Sequence, residues 1–224
     1  MEVLYEDNHI IAVNKAPGEI VQGDKTGDPS LLDEVKQYIK VKYFKPGDVF
    51  LSVVHRIDRP VSGVVLFART SKATSRLSRM FAERQVRKVY WAVTQDRPAT
   101  PEATLRHFIG KNEDKNRALV SVSPRSGYKE AILSYKTIAA SEHLYLLEVE
   151  LQTGRHHQIR AQLAREGMPI RGDLKYGAKR SNPGGGINLH SRLIEFEHPV
   201  SHQMVSIVAP VPDDNAWHAF DGQV

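Results

Sequence analysis

The sequence contains no cysteine among its 224 residues. This absence excludes disulfides, thiolate metal sites and a cysteine nucleophile, although it fits an oxidising or a reducing compartment equally well. Long apolar runs are missing too, since the longest fall far short of the roughly 20 residues that span a bilayer. The N-terminus has no basic region followed by a long apolar segment, so no secretory signal is indicated. We therefore expect a soluble, cytoplasmic protein.

The charge balance is moderately positive. Lysine and arginine number 31 against 26 aspartate and glutamate residues, which gives a formal net charge of +5. Hydrophobic residues make up 41% of the chain, as in ordinary globular proteins, and the length suits one domain or two closely joined subdomains. A positive excess of this size makes a polyanionic partner such as nucleic acid plausible.

Periodic apolar residues predict alternating helices and strands. Ser30, with the acidic Asp33 three positions on, is typical of a helix N-cap, and a second helix is predicted from Ser71. A third is predicted from about His156 to Gly167, which is a natural C-terminal cap residue. A polar loop is expected at 23–29, a mobile glycine loop at 184–186 and a short helix around 217. Strands are predicted at 3–5, 9–15, 64–68, 87–93, 131–138, 144–151, 187–197 and 204–208.

The stretch from Val54 to Arg69 is where we place the chemistry. Asp58 lies between Arg56 and Arg59, and the apolar run that follows has the length and β-branched content of a buried strand. Nearby positive charge favours the ionised form of a carboxylate. From these residues alone two interpretations stay open, a catalytic aspartate in a clamped loop or a structural ion-pair cluster that closes a turn.

Arg160 lies near the start of the third predicted helix. An arginine there opposes the helix dipole, so we expect a carboxylate partner to hold it. Three acidic residues are candidates for that partner: Asp58, Asp173 and Glu195.

Other patterns support weaker hypotheses. No carboxylate completes a metal-ligand set with the histidine pairs, and we expect no metal site. Ser62 lacks the Gly-x-Ser-x-Gly setting of a hydrolase nucleophile, and Asp58 has basic neighbours instead of the second acidic residue of a glycosidase. The second helix has a basic outer side that is either solvated or faces phosphates. The histidine pairs are His156/His157 and His198/His202, and the basic side comprises Arg76, Arg79, Arg84 and Arg87.

Three motifs resemble those of the RluA-type pseudouridine synthases, in the same order. They are His55-Arg56-Ile57-Asp58-Arg59-Pro60-Val61-Ser62-Gly63, Arg87-Lys88-Val89-Tyr90-Trp91-Ala92 and Thr153-Gly154-Arg155-His156-His157-Gln158-Ile159-Arg160. Segments 13–15, 189–190 and 198–199 also fall where the family has similar residues, so the resemblance covers nearly the whole chain. The departures are small, with Val61 where the family often has threonine and Ile57 where leucine is usual.

The resemblance implies an α+β fold with a mixed, largely antiparallel central sheet, flanking helices and an active-site cleft across the sheet. It implies that residues 1–224 form the catalytic domain, without the RNA-binding S4 domain that many relatives carry. Asp58 is then the catalytic aspartate, Arg160 pairs with it, Tyr90 stacks against the target uracil, and Arg56 fills the space left by the flipped uridine. Four further residues are candidates for substrate binding: His55, Arg59, Arg155 and Ile159.

The implied reaction converts uridine to pseudouridine in ribosomal or transfer RNA by a protein expected to be a monomer. It is an isomerisation, so no redox cofactor, nucleotide or metal is required. The carboxylate can attack C1′, remove a sugar proton or add to C6 of the base, and the sequence does not choose among these routes. Two alternatives are a non-catalytic RNA-binding module and a hydrolase with a second acidic residue or a metal.

Overall fold

The computed structural model describes residues 1–23 and 27–224. Part of the loop expected at 23–29 therefore lies outside the described residues. Contacts divide the chain into two compact units. Unit 1 comprises residues 1–87 and 191–210, and unit 2 comprises residues 88–190 and 211–224.

The helices and strands follow the predicted order, with additions. The hairpin at residues 102–121, the short strand at Ser52–Val53 and the two 3-10 turns were not predicted. The strands are β1 (Glu2–Glu6), β2 (Ile10–Lys15), β3 (Ser52–Val53), β4 (Ser62–Ala68), β5 (Arg87–Thr94), β6 (Glu102–Asn112), β7 (Arg117–Ser121), β8 (Lys129–Ala140), β9 (Tyr145–Leu151), β10 (Leu189–Glu197) and β11 (Met204–Val208). The helices are α1 (Leu31–Lys42), α2 (Ser71–Ala82), α3 (Gln158–Arg165) and α4 (Asn215–His218), with single 3-10 turns at Leu174–Tyr176 and Pro183–Gly185.

Unit 1 contains a sheet in the order β1-β2-β4-β10, in which β3 pairs with the end of β4 and β11 with β10. The pairs β1–β2, β2–β4, β3–β4 and β10–β11 are antiparallel. Every residue of β4 is buried, so both faces of the sheet are covered at this strand and the predicted buried strand is confirmed. On one face, Val64, Leu66 and Ala68 pack with Ala73 and Leu77 of α2.

The caps of the two helices in unit 1 follow from their sequences. The Ser30 hydroxyl accepts the Asp33 N–H at 3.3 Å and donates to the Asp33 carboxylate at 2.6 Å, which confirms the predicted N-cap of α1. The cap of α2 is Thr70, whose hydroxyl accepts from Ala73 N–H. Each cap hydroxyl accepts a backbone N–H of the first helical turn, a contribution of about 1 kcal/mol.

Unit 2 contains an antiparallel sheet in the order β5-β9-β8-β6-β7. Ala161 of α3 packs with Ile109, Ala118 and Ala131 of the sheet, and Trp217 of α4 packs in a separate cluster with Val93, Leu146 and others. Antiparallel sheets with flanking helices in both units confirm the α+β prediction. Among the described residues, the helices are too short or too polar to cross a membrane.

Gly63 occupies a position that only glycine fits. Its φ is +112°, and a Cβ built there would lie 2.3 Å from the Ser191 carbonyl oxygen and 2.6 Å from Ser191 N, both backbone atoms. Gly18 has a similar φ of +93° but open space around it. An alanine at Gly63 would therefore suffer both steric overlap and backbone strain, whereas an alanine at Gly18 would suffer backbone strain alone.

We expect Gly63→Ala to lower the free energy of unfolding by more than about 3 kcal/mol, because a clash with backbone adds to the positive-φ strain. Gly18→Ala should cost only about 1 kcal/mol, which is the strain alone. Urea denaturation followed by circular dichroism measures both. Equal losses for the two variants would contradict the close approach of Gly63 to Ser191.

Candidate active-site residues

The loop between β3 and β4 presents Asp58 at a tight turn. Val61 N–H donates to the Asp58 carbonyl oxygen at 3.0 Å, which closes a four-residue turn with Pro60 inside it. Ile57 is buried, Asp58 is partly buried, and Arg56 on the other side of Ile57 is exposed. The apolar side chain of Ile57 therefore anchors the loop while the carboxylate stays accessible.

Lys15, at the end of β2, fixes the backbone that follows Asp58. Its side chain is completely buried, and its ammonium group donates to the carbonyl oxygens of Val61 at 2.7 Å, Ala16 at 2.9 Å and Arg59 at 3.0 Å. Three N–H donors thus meet three acceptors. Burial lowers the pKa of Lys15 to about 8, against the nearby charges of Glu19 and Asp58, which raise it.

Arg59 ties the same loop to the turn that follows β2. Its carbonyl accepts from Gly18 N–H at 2.8 Å, and its Nε donates to the Gly18 carbonyl at 3.0 Å. Its guanidinium also pairs with Asp28 at 2.9 Å, where both side chains are about half exposed. An exposed pair of this kind contributes little to stability, so Arg59 holds the loop through its two bonds to Gly18 and not through Asp28.

His55 supports the loop from the other side. Its Nε2 accepts the backbone N–H of Leu66 at 2.8 Å, and its ring stacks on Phe81 of α2 with centroids 4.9 Å apart. These contacts give His55 an orienting role, and its predicted role in substrate binding stays a prediction.

Tyr90 lies in β5 of unit 2, opposite Val149 of β9. Its neighbours Trp91 and Val93 pack in the cluster that contains Trp217. Side chains alternate along a strand. Since Trp91 and Val93 belong to that cluster, Tyr90 lies on the opposite face of the sheet. Tyr90 is 8% exposed, so most of its ring is fixed by the surrounding protein.

A hydrogen-bonded turn joins β9 to α3. The Gln158 side-chain oxygen accepts from the Thr153 hydroxyl at 2.8 Å and from Arg155 N–H at 2.9 Å. Arg155 Nε donates to the Glu130 carbonyl at 2.9 Å, and Ile159 is buried. The structure thus gives both Arg155 and Ile159 structural contacts, and their predicted contacts with substrate stay predictions.

Arg160 has the carboxylate partner that its position in the helix predicted. Its Nε and one Nη donate to the two oxygens of Asp173 at 2.7 and 2.9 Å, and both side chains are almost completely buried. The guanidinium carbon lies 5.1 Å from the centre of the Tyr176 ring. Of the three candidate carboxylates, Asp173 is the one within unit 2 that the structure pairs with Arg160; its pairing with Asp58 stays a prediction.

His157 completes this buried cluster. Its Nδ1 lies 2.8 Å from the Tyr176 hydroxyl, which also accepts the N–H of Ala118 at 2.7 Å. Burial lowers the pKa of His157 to about 3, with help from the charge of Arg160.

A family model described as RNA pseudouridylate synthase matches residues 9–165, well over half of the chain. The chain belongs to the RNA pseudouridine synthase family. It is 31% identical over 219 residues to the uncharacterized RNA pseudouridine synthase YhcT of Bacillus subtilis, covering 96% of this chain and 70% of that protein. It is 32% identical over 232 residues to ribosomal large subunit pseudouridine synthase D of Vibrio cholerae, covering 96% and 68%.

Solved structures show the same fold. The human RNA pseudouridylate synthase domain containing 4 aligns with a TM-score of 0.81 over 98% of this chain and 91% of that one, at 21% identity. The protein is therefore an isomerase of the pseudouridine synthase fold that acts on RNA, as the three motifs implied.

Three residues that shape these sites were not chosen as site residues from the sequence. Lys15 lies in a segment that matched the family, but a lysine at the end of a strand carries no sign that it is buried. Asp173 was named only as one of three partners for Arg160. Tyr176 follows Asp173 by three residues within a short 3-10 turn, and this spacing is the one signal that could have linked the two.

The buried neutral His157 should make the protein sensitive to acid. Since the pKa in the folded state lies near 3 and that in the unfolded chain near 6.5, the unfolded state binds the extra proton between these values. Stability is therefore expected to fall by about 1 kcal/mol per pH unit as the pH drops below 6.5. His157→Gln should reduce this slope in urea denaturation measured from pH 7 to pH 4.5.

His218→Gln serves as the matched control for this experiment. The side chain of His218 is about half exposed, and it pairs with Asp213 on the surface. Its replacement should leave the slope nearly unchanged. A slope that is the same in wild type and in His157→Gln would contradict the assigned state of His157.

Proposed function

We propose that this protein isomerises specific uridines in structured RNA with Asp58 as the catalytic carboxylate. The observation that carries the proposal is the loop around Asp58, in which Asp58 is partly exposed while the backbone that follows it is fixed by Lys15 and Arg59. A reacting group held by rigid neighbours loses little entropy on reaching the reactive geometry.

The proposed roles of Arg56 and Tyr90 follow from what base flipping requires. Extruding a uridine from its stack costs about a few kcal/mol. Arg56 is exposed and has no ion-pair or hydrogen-bond partner among the described residues, so it can fill the vacated space without breaking contacts of its own. Stacking of the uracil on an aromatic ring is worth roughly 1–3 kcal/mol, and we assign that role to Tyr90.

We further propose that Arg160 orients Asp58. The interaction with Asp173 occupies Nε and one Nη of the guanidinium, and an arginine has five N–H donors in total. Asp173 and Tyr176 hold the plane of the guanidinium and so fix the direction in which its N–H groups point. A bidentate, planar cation of this kind suits a carboxylate whose direction matters.

We propose large-subunit ribosomal RNA as the substrate, with transfer RNA as the second possibility. The support is the similarity to the ribosomal large subunit pseudouridine synthases of Vibrio cholerae and of Rickettsia prowazekii, the latter 31% identical over 212 residues, with 94% of this chain and 68% of that protein covered. Such a substrate implies a cytoplasmic enzyme, and we propose that it acts as a monomer. Mapping pseudouridine in total RNA from cells with and without the gene identifies the modified position.

Asp58→Asn should abolish pseudouridine formation, because every proposed route needs an ionised carboxylate. The assay is tritium release from RNA labelled at C5 of uridine, since C5 loses its hydrogen when it becomes bonded to the sugar. RNA affinity and melting temperature should stay close to wild type. The matched control is Asp48→Asn, which makes the same change at an exposed aspartate and should turn over normally.

Normal turnover by Asp58→Asn would refute the proposed role of this residue. If wild-type protein binds RNA but releases no tritium from any RNA of the cell, the non-catalytic RNA-binding module is the better description.

The proposed action of Arg160 on Asp58 is tested by a double-mutant cycle. Arg160→Lys keeps the charge but loses the planar, bidentate geometry, so we expect kcat to fall by at least about tenfold and the protein to lose stability. Added to Asp58→Asn, the same change should reduce activity no further, because two residues that act as a unit are not additive. Equal kcat for Arg160→Lys and wild type would contradict the orienting role.

A further inference from the structure

The C-terminal end of α1 carries an exposed aromatic ring among lysines. We define this α1 patch as Lys40, Phe44 and Lys45. Phe44 is 90% exposed, so both faces of its ring are open to solvent. Residues 35–47 contain four lysines and no acidic residue. Lys40 and Lys45 are exposed, and their ammonium groups have no ion-pair or hydrogen-bond partner among residues 1–23 and 27–224.

The backbone places Phe44 where glycine would be favoured. Phe44 N–H donates to the Val41 carbonyl and Lys45 N–H to the Lys40 carbonyl, which is the hydrogen-bond pattern of a Schellman motif. Phe44 therefore sits at the left-handed position of this helix end, with φ +50°. A bulky side chain is strained there and, at this exposure, gains nothing from packing. Neither the helix end nor the core accounts for a phenylalanine at this position.

The residue before Phe44 holds the α1 patch in place. The Tyr43 hydroxyl donates to the Glu6 carboxylate at 2.8 Å, and the Arg69 guanidinium lies 5.0 Å from the centre of the Tyr43 ring. Glu6 also accepts from Lys42 at 2.7 Å and is nearly buried. Burial raises the pKa of Glu6, but the hydrogen bonds from Lys42 and Tyr43 outweigh it and leave the pKa below its usual value. Phe44 thus projects from a fixed base and needs no ordering on binding.

From these observations we propose that the α1 patch is an RNA contact outside the residues assigned to catalysis, in which Phe44 stacks on an unpaired base and Lys40 and Lys45 bind the adjacent phosphates. The proposal rests on the proposed function in that the ligand is RNA. Exposed aromatic rings with flanking cations are the elements that single-stranded nucleic acids need. A second copy of the chain is a poor occupant, because its own α1 patch would bring the same charge against these lysines.

Phe44→Gly is an unusually clean test, since glycine relieves the strain at this position while it removes the ring. We expect a melting temperature equal to or above that of wild type. The affinity of the full chain for a fluorescein-labelled single-stranded oligouridylate of about 12 nucleotides should fall roughly tenfold, as loss of one stacked base predicts. Fluorescence anisotropy at several salt concentrations measures the affinity.

Three further variants define the contact. Phe44→Trp should retain wild-type affinity and Phe44→Leu should bind like Phe44→Gly, because only a flat ring stacks. Phe50→Leu is the matched control, since Phe50 is 54% exposed but lies outside the lysine cluster, and its affinity should not change. Lys45→Gln should lower the slope of log affinity against log salt by about 0.7, the value for one phosphate contact on a single strand.

Wild-type RNA affinity in Phe44→Gly or in Phe44→Leu would overturn the proposal. So would a Phe44→Gly variant that loses binding to phosphatidylserine vesicles, or loses self-association in sedimentation, while it keeps its affinity for RNA. These binding measurements need no turnover, so they are independent of Asp58→Asn. In the tritium assay with a cellular RNA substrate, Phe44→Gly should raise KM and leave kcat unchanged.

Discussion

The buried ammonium of Lys15 is the interaction on which the Asp58 loop depends. A charge removed from water costs several kcal/mol unless every donor is satisfied. Here three backbone carbonyls accept the three N–H groups, and two of these carbonyls, those of Arg59 and Val61, belong to the turn that begins at Asp58. The turn cannot change shape without leaving the ammonium unsatisfied. Lys15 thus makes the conformation of a surface loop part of the stability of unit 1.

Unit 2 uses the same device for Arg160. Asp173 takes two of its donors, and Tyr176 lies against its face while bonding to Ala118 and His157. Removal of one partner from such a cluster is costly because it leaves a charge buried without compensation. In both units, then, a buried cation that is held by the protein's own acceptors gives precise geometry to a segment that the family motifs contain.

The sequence was sufficient for the features that depend on local chemistry. The Ser30 cap, the buried strand β4 and the need of Arg160 for a carboxylate all follow from the residues within a few positions. The sequence does not identify Asp173 as that carboxylate, because the pairing depends on the packing of a 3-10 turn against α3. The hairpin of β6 and β7 was missed for a related reason. In β6 the buried position between Leu105 and Ile109 is His107, and this polar residue interrupts the apolar alternation.

Buried and exposed cations have different tasks in this protein, and the net charge of +5 does not distinguish them. Lys15 and Arg160 are enclosed and paired, so they release few counterions when RNA binds. Salt-dependent affinity must instead come from exposed groups such as Arg56, Lys40 and Lys45. The exposed groups are also the ones free to adapt to an RNA surface. Buried cations therefore make the surroundings of Asp58 rigid, while exposed cations adapt to the phosphates of the RNA. Mutations at the exposed cations can then change RNA affinity without disturbing the geometry around Asp58.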